Sequence, residues 1–163
     1  MRIAGTVQDS IVDGPGFRFT VFAQGCRHGC PGCHNPQTHD PLGGRELPVA
    51  ELLDRLQSNP LTDGLTLSGG EPFDQAADCL ALAQAAHAMG LNVWCWTGEL
   101  FEALRDQGTA SQQALLREVD VLVDGPFLLS LRSLSLPWRG SRNQRVILVG
   151  ESLRQGTVVL RED

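Results

Sequence analysis

The sequence predicts an α/β fold: an open partial (βα) barrel with a mostly parallel sheet. Strand-like apolar runs alternate with helical periodicity in the order β-α-β-α-β-α-β, followed by two more strand-like runs. Short loops join these elements, and glycine-containing turns follow several of the strands. In a parallel sheet such turns meet at the carboxyl edge, where ligands bind. The strand–helix units are too few for a complete eight-fold barrel.

Length and composition limit the classes of function. A chain of 163 residues is expected to form one domain over residues 1–163. Its formal net charge of −6 disfavours nucleic acid as a direct partner, because phosphate contacts need a basic surface. The sequence has no apolar run of membrane-spanning length and no signal-peptide pattern at its start. We therefore expect a cytoplasmic protein without a membrane partner.

The first half of the chain gives two strands and a helix. Period-2 alternation predicts a strand over residues 17–22. Apolar residues recur on one helical face over residues 48–58, which predicts a helix. Residues 64–67 form a short apolar run that predicts a buried strand, and the turn SGGEP at residues 68–72 follows it directly.

A second helix is predicted from an N-cap at Asp74 to about Met89, where Gly90 is the C′ stop. Residues 91–96 then form a strand. Cys79 lies on the helix and Cys95 on the strand, and both are expected to be small buried hydrophobic residues.

The second half of the chain repeats this alternation. Residues 99–117 predict one or two helices broken near Gly108, and the run VDVLVDGPF at residues 119–127 predicts a buried strand. A polar, irregular stretch covers residues 131–144. The last two strand-like runs are RVILVG at residues 145–150 and GTVVL at residues 156–160.

The most informative motif is GCRHGCPGCHN at residues 25–35. Cys26, Cys30 and Cys33 have the spacing Cys-x3-Cys-x2-Cys, and the glycines and proline between them let the backbone curl tightly. Three thiolates can hold a cubane iron–sulfur cluster by three of its four irons, whereas full protein ligation uses four cysteines. The remaining iron is then open to a small molecule.

Other readings of the cysteines stay open on spacing alone. Zinc is an alternative, because His28, His34 or His39 could supply a fourth ligand, although the sequence has no second ligand pair. A disulfide framework is disfavoured by the odd count of five cysteines. A nucleotide-binding loop at SGGEP is disfavoured because the sequence has no GxGxxG or Walker pattern.

The cysteine spacing resembles the signature of radical S-adenosylmethionine (SAM) enzymes, and SGGEP looks like the turn that meets the methionyl amino group in them. The resemblance implies a partial barrel of the radical SAM type, with a [4Fe-4S] cluster and SAM as cofactors. It also implies cleavage of SAM to methionine and a 5′-deoxyadenosyl radical, which abstracts a hydrogen atom. The protein would then be an oxidoreductase.

Two longer stretches narrow the resemblance. IVDGPGFRFTVFAQGC at residues 11–26 looks like the opening of glycyl-radical enzyme activases. The CPGC segment and the stretches VDGPF and LPWRGSRNQRVI are similar to anaerobic (class III) ribonucleoside-triphosphate reductase activating proteins. This implies that the protein installs a glycyl radical on a large anaerobic ribonucleotide reductase. The electron would come from an external one-electron donor of flavodoxin or thioredoxin-system type.

The resemblance also assigns roles to individual residues. Three groups are expected: the cluster ligands Cys26, Cys30 and Cys33; the SAM-binding residues Gly69, Gly70, Glu71, His34, Thr97 and Asp124; and the partner-binding residues Asp13, Arg18, Trp138, Arg139, Asn143 and Gln144. Gly69–Glu71 would hold the methionyl end, and His34 would stack on adenine in place of the aromatic residue absent at Gly32. Simpler roles are open for two of them, since Asp124 could cap a turn and Trp138 could be a packing residue.

Two alternative functions remain at this stage. The same chemistry could act on another partner, such as a pyruvate formate-lyase type enzyme, or on a small molecule, as in 7-deazaguanine synthesis. In a different class, the chain could be a non-catalytic zinc-binding module.

Overall fold

The computed structural model describes residues 1–162 and folds them into one seven-stranded sheet with five α-helices. The strands are β1 (Arg2–Ser10), β2 (Arg18–Ala23), β3 (Arg45–Glu46), β4 (Gly64–Gly69), β5 (Asn92–Trp96), β6 (Val121–Asp124) and β7 (Arg145–Leu148). The helices are α1 (Val49–Ser58), α2 (Ala76–Ala88), α3 (Phe101–Gln107), α4 (Ala110–Glu118) and α5 (Val149–Gln155).

The sheet has the strand order β3-β1-β2-β4-β5-β6-β7. The four central strands β2, β4, β5 and β6 are parallel. At the edges, β1 pairs antiparallel with β2, β3 pairs antiparallel with β1, and β7 pairs antiparallel with β6. Helices connect the parallel strands, as βαβ crossovers require. This arrangement confirms the predicted α/β class with an open, mostly parallel sheet.

All five helices contribute to one hydrophobic core on one face of the sheet. Phe19 and Val21 of β2 lie in this core with Leu82 of α2, Leu115 of α4 and Val149 of α5. Alternate residues of the strands point to the opposite face, as the period of two in a strand dictates. There Trp94 and Val123 form a second, smaller cluster, against which Trp96 and Trp138 pack. This helix-free concave face carries the functional site.

Several local predictions are confirmed. The helical region after β5 is broken at Gly108 into α3 and α4, and α4 begins with a capping box between Thr109 and Gln112. Gly90 follows the end of α2 with a φ of 76°, in the left-handed region that glycine tolerates. Cys79 and Cys95 are buried in the main core.

Other local predictions are wrong, each for a physical reason. Strand β1 was not predicted, because residues 2–10 lack a strong apolar alternation and the strand forms by pairing with β2. Asp74 does not cap α2; Glu71 instead accepts a hydrogen bond from the backbone N–H of Phe73 and caps a short 3-10 turn before the helix.

The end of the chain also differs from its prediction. Val149 and Gly150 begin α5 instead of extending a strand. Residues 156–160 form only an isolated bridge between Leu160 and Ile147. Among the described residues, none of the helices has the length and apolar character needed to cross a membrane.

Candidate active site

Most of the predicted site residues line a cavity of about 720 Å³ on the concave face. Cys26, Cys30 and Cys33 line it together with Gly69 and Gly70. The volume lies within the roughly 300–1,000 Å³ typical of small-molecule sites. The cavity lies at the carboxyl ends of the parallel strands, where open α/β sheets bind ligands.

The loop with the three cysteines is closed by hydrogen bonds between its start and the segment that follows it. The backbone N–H groups of Gly25 and Cys26 donate to the carbonyls of Thr38 and His39, at 2.7 and 3.2 Å. Within the loop, the N–H of Cys33 donates to the carbonyl of Cys30. The three thiols are half-buried and unpaired. They therefore have the exposure that ligands on the wall of a cavity require.

The glycines of SGGEP have a structural reason that the sequence did not show. A side chain at Gly69 would lie 2.6 Å from the backbone nitrogen of Ala23, and one at Gly70 would collide with the carbonyl oxygen of Gly25. The N–H of Gly70 donates to the carbonyl of Ala23 at 2.7 Å. The turn is thus pressed against the strand that leads into the cysteine loop, with its backbone exposed to the cavity.

Glu71 does not line the cavity: its carboxylate is fully buried beside it. Oε1 accepts hydrogen bonds from the Phe73 N–H and the Thr97 hydroxyl, at 3.1 and 2.8 Å. Oε2 accepts from the Gly98 N–H and from Nε2 of His28, each at 2.9 Å. Of the expected group Gly69, Gly70 and Glu71, only the two glycines line the cavity, and both carboxylate oxygens of Glu71 are occupied by donors from the protein.

Two ionisable groups of the loop that line the cavity have shifted pKa values. The hydrogen bond to Glu71 raises the pKa of His28 above its ordinary value. Burial raises the pKa of the Cys26 thiol, although hydrogen bonds from the backbone of His28 and Gly29 act in the opposite direction.

Thr97 and Asp124 occupy different environments. Thr97 lines the cavity, and its hydroxyl donates to Glu71 and accepts from the N–H of Glu99. Asp124 is fully buried outside the cavity lining, where Arg145 and the backbone N–H of Phe101 donate to its carboxylate. The expectation that Asp124 binds the ribose or a cation is therefore corrected: it joins β6 to β7 and to the start of α3.

His34 lines the cavity, and its ring centroid lies 5.8 Å from that of Phe127. Phe127 also lines the cavity and was missed as a site residue, although its motif VDGPF carried the signal. A side chain at Gly32 would contact Leu129 at 2.9 Å and Phe127 at 3.4 Å. The space beside the last two cysteines is thus filled by the segment after β6.

Arg18, the first residue of β2, is fully buried. Its guanidinium donates to the Thr66 hydroxyl, the Asn92 side chain and the Leu65 carbonyl, at 3.0, 2.6 and 2.6 Å. Burial lowers its pKa to about 10. Because the side chain has no exposed surface, we remove Arg18 from the partner-binding set.

Four of the expected partner-binding residues line the cavity, namely Asp13, Trp138, Arg139 and Gln144. Trp138 has a φ of 63°, which is strained for a non-glycine residue, and its carbonyl accepts a hydrogen bond from Trp96. Its ring also packs edge-on against Trp94.

Asn143 does not line the cavity. Its amide donates to the carbonyl of Pro126, and Gln144 donates to the carbonyl of Gly125. These two residues shape the loop that carries Trp138 and Arg139.

The donor set fits a cluster held by three thiolates. Each thiolate of a cubane binds a different iron, so the thiols need to line one cavity without converging on one atom. Within residues 1–162, no group of three or more His, Cys, Asp or Glu side chains is arranged to hold a single metal ion.

Comparison with known proteins gives consistent results. Residues 12–147 match the family described as a 4Fe-4S single cluster domain. A protein of Salmonella typhi named anaerobic ribonucleoside-triphosphate reductase-activating protein is 40% identical over 146 residues, which cover 83% of this chain and 91% of that protein. The protein of the same name in Escherichia coli K12 is 39% identical over the same shares. The one in Enterobacteria phage T4 is 35% identical over 143 residues, covering 83% and 86%.

A solved structure shares the fold. The crystal structure of QueE from Escherichia coli superposes with a TM-score of 0.50 at 17% sequence identity, over 76% of this chain and 69% of that chain. At this identity the likeness concerns the fold alone.

Proposed function

Because the chain belongs to the family of anaerobic ribonucleoside-triphosphate reductase-activating proteins, we propose that it installs the glycyl radical on an anaerobic ribonucleotide reductase. It is a radical SAM enzyme with a [4Fe-4S] cluster and SAM as cofactors. The chemistry supplied by these groups when bound is one-electron cleavage of SAM and abstraction of a hydrogen atom from a glycine Cα of the reductase. We place the protein in the cytoplasm, with the electron coming from a flavodoxin- or thioredoxin-type donor.

The observation that carries the proposal is that all three cysteines and the Gly69–Gly70 turn line one cavity. Cys26, Cys30 and Cys33 would hold three irons of the cluster. The exposed backbone of Gly69 and Gly70 would accept the methionyl ammonium group, for which oxygen acceptors are suited. Thr97 also lines the cavity and directly follows β5, the strand that pairs with β4.

The adenine of SAM would stack on the aromatic surface that His34 and Phe127 form together. Both rings line the cavity next to Cys33, and aromatic rings are the usual stacking surfaces for bases. Phe127 would thereby supply the aromatic surface that Gly32 does not.

The open side of the cavity would admit the glycine-bearing loop of the reductase. Asp13 and Val12 on one side and Trp138 and Arg139 on the other line it. The adjacent apolar residues Val12 and Ile11 are 75% and 68% exposed, and contiguous exposed apolar surface is typical of a contact site for another protein.

Family membership does not favour the alternatives, namely activation of a pyruvate formate-lyase type enzyme or a zinc-binding module. Anaerobic reconstitution with iron and sulfide, followed by electron paramagnetic resonance (EPR) with and without SAM, tests the assignment. We expect a SAM-sensitive cluster signal, and a glycyl radical signal once the reductase is added. A colourless, zinc-loaded protein would contradict the proposal.

Cys30→Ala should abolish SAM cleavage, because two thiolates cannot hold the cluster in the same way. Cys79→Ala is the matched control, since Cys79 is buried in the core away from the cavity. A Cys30→Ala variant that still releases 5′-deoxyadenosine would refute the assignment of the cluster ligands.

A further inference from the structure

We propose that His28 and Glu71 form a positioning pair that sets the distance between the cysteine loop and the SAM-binding turn. The inference rests on the proposed function and deepens it. It concerns the hydrogen bonds around the Glu71 carboxylate, whose donors belong to His28, Phe73, Thr97 and Gly98. None of these side chains needs to touch SAM for the pair to act.

Glu71 forms hydrogen bonds to the cysteine loop on both sides of Cys26. Before Cys26, the backbone N–H of Glu71 donates to the carbonyl of Gly25 at 2.8 Å. After Cys26, the Glu71 carboxylate accepts from Nε2 of His28 at 2.9 Å. The same residue follows Gly70 directly in the chain, so one residue connects the turn to the loop at two points.

The buried, fully hydrogen-bonded environment of the Glu71 carboxylate restricts movement between the turn and the loop. Its two oxygens accept four hydrogen bonds, from three segments of the chain, and the side chain has no exposed surface. Loss of one donor would leave a buried charge under-satisfied, which is costly. The loop therefore cannot move away from the turn without breaking a favourable bond to a buried charge.

The His28 ring is also confined from the other side. A methyl group added to Gly98 would lie 2.5 Å from the ring, so glycine at this position leaves the space that the imidazole fills. The backbone does not require glycine here, because Gly98 does not have a positive φ. Its small size is needed for the approach of His28.

The neighbouring ion pair is a weaker candidate for the same role. Arg27 pairs with Asp74 at 3.0 Å and also with Glu99. Its side chain is 61% exposed, whereas that of His28 is 18% exposed. Solvent screens exposed pairs, so Arg27 contributes less to the position of the loop than His28 does.

The consequence is a link between loop position and SAM binding. The iron–sulfur cluster would follow the position of the three thiolates, while Gly69 and Gly70 would hold the methionyl end of SAM. SAM must reach both at once, so a shift of the loop against the turn weakens its binding even when the cluster is intact. Groups that orient metal ligands typically change affinity or activity about 10- to 100-fold when removed.

The test uses the reconstituted full-length protein. His28→Leu removes the donor, and His28→Gln retains an N–H donor at the position of Nε2. For His28→Leu we expect normal iron content, an SAM dissociation constant raised by about tenfold or more, and a weaker effect of SAM on the EPR spectrum of the reduced cluster. His28→Gln should recover most of this loss.

Arg27→Ala and His87→Gln are the matched controls, the first in the same loop and the second in an ion pair remote from the cavity. Both should bind SAM as the unmodified protein does. If His28→Leu lowers the melting temperature but leaves the SAM response unchanged, His28 serves folding stability alone and the inference is overturned. Equal losses in Arg27→Ala and His28→Leu would overturn a specific role for His28.

Gly98→Ala tests the pair from the opposite side and keeps the imidazole. It should push the ring aside and weaken SAM binding, and it should cause no further loss in a His28→Ala background, where the ring is absent. Additive losses in the double variant would mean that the new methyl group obstructs SAM directly, and would overturn the inference. If His28→Leu fails to take up the cluster, Gly98→Ala decides the question.

The EPR response of the unmodified protein to SAM distinguishes failure of the proposed function from failure of the positioning pair. Without a SAM-sensitive cluster signal in that protein, the proposed function itself fails. With that signal present and His28→Leu indistinguishable from the unmodified protein, only the positioning pair is refuted.

Discussion

The carboxylate of Glu71 shows how one side chain can serve a site without facing it. Its partners lie on the cysteine loop, on the turn after β4 and at the end of β5. The backbone of Gly69 and Gly70 is left to face the cavity. The motif SGGEP thus divides into two parts, a backbone surface that lines the cavity and a buried acid that connects the surrounding loops.

Phe127 is the residue for which we predict the clearest effect on SAM binding. Phe127→Ala should raise the dissociation constant for SAM by about tenfold or more, because loss of a base-stacking ring costs about 1–3 kcal/mol. Iron content should stay normal, since the cysteines are unchanged. The measurement is equilibrium binding of SAM to the reconstituted protein. Phe17→Ala, which removes a half-exposed ring away from the cavity, is the control. Equal affinities in the two variants would exclude Phe127 from the adenine site.

Arg139 should act on the reductase and not on SAM. Its Nη1 donates to the carbonyl of Gln144, and within residues 1–162 it forms no ion pair with a carboxylate. Arg139→Ala should weaken the apparent affinity for the reductase by about tenfold, equivalent to about 1.4 kcal/mol. Release of 5′-deoxyadenosine in the absence of the reductase should be unchanged.

The comparison for Arg139 is Arg142→Ala, an exposed arginine of the same loop that does not line the cavity. It should activate the reductase normally. Parallel loss of SAM cleavage and reductase activation in Arg139→Ala would instead place Arg139 in the SAM site.

The helices contribute a pH-dependent contact at the opposite side of the molecule from the predicted chemistry. His87 near the end of α2 contacts Glu118 at 2.8 Å and Asp120 at 2.9 Å, and so joins α2 to the end of α4. Burial lowers the pKa of His87, but its hydrogen bonds to Asp120 and Glu118 outweigh this effect and raise the pKa overall.

A raised pKa in the folded state means that protonated His87 stabilises the fold. This stabilisation is fully present below the unfolded pKa of about 6.5 and is lost as the pH rises through the higher folded value. The melting temperature of the unmodified protein should therefore exceed that of His87→Gln most at low pH, and the gap should close as the pH rises. Thermal unfolding followed over a pH series measures it. A gap independent of pH would exclude protonation of His87 as its cause.

Considered as a unit, the chain places its helices on one face of the sheet and its three tryptophans near the other. The single domain expected over residues 1–163 remains a prediction. It implies one cooperative unfolding transition for the cluster-free chain. Circular dichroism, which follows the helices, and tryptophan fluorescence, which follows the concave face, should give the same midpoint in urea. Separate midpoints would show that the two faces unfold independently.

The sequence by itself determined the features that depend on local spacing. Cys26, Cys30 and Cys33 lie within one short loop, so their proximity needs no knowledge of the rest of the fold. Alternating strand and helix patterns likewise predicted the parallel sheet, and with it the meeting of the cysteine loop and SGGEP at one edge. These inferences hold because each rests on contacts between residues that are near in the chain or ordered by strand topology.

Only the tertiary structure decided which way individual polar side chains turn. The same sequence pattern is compatible with a Glu71 or Asp124 that faces a ligand and with one that binds a neighbouring loop. Arg18 is buried because Thr66 and Asn92, 48 and 74 residues away in sequence, supply its partners. Phe127 reaches His34 because β6 ends beside the cysteine loop. Such contacts join residues far apart in the chain, and their geometry is fixed only when the strands pack together.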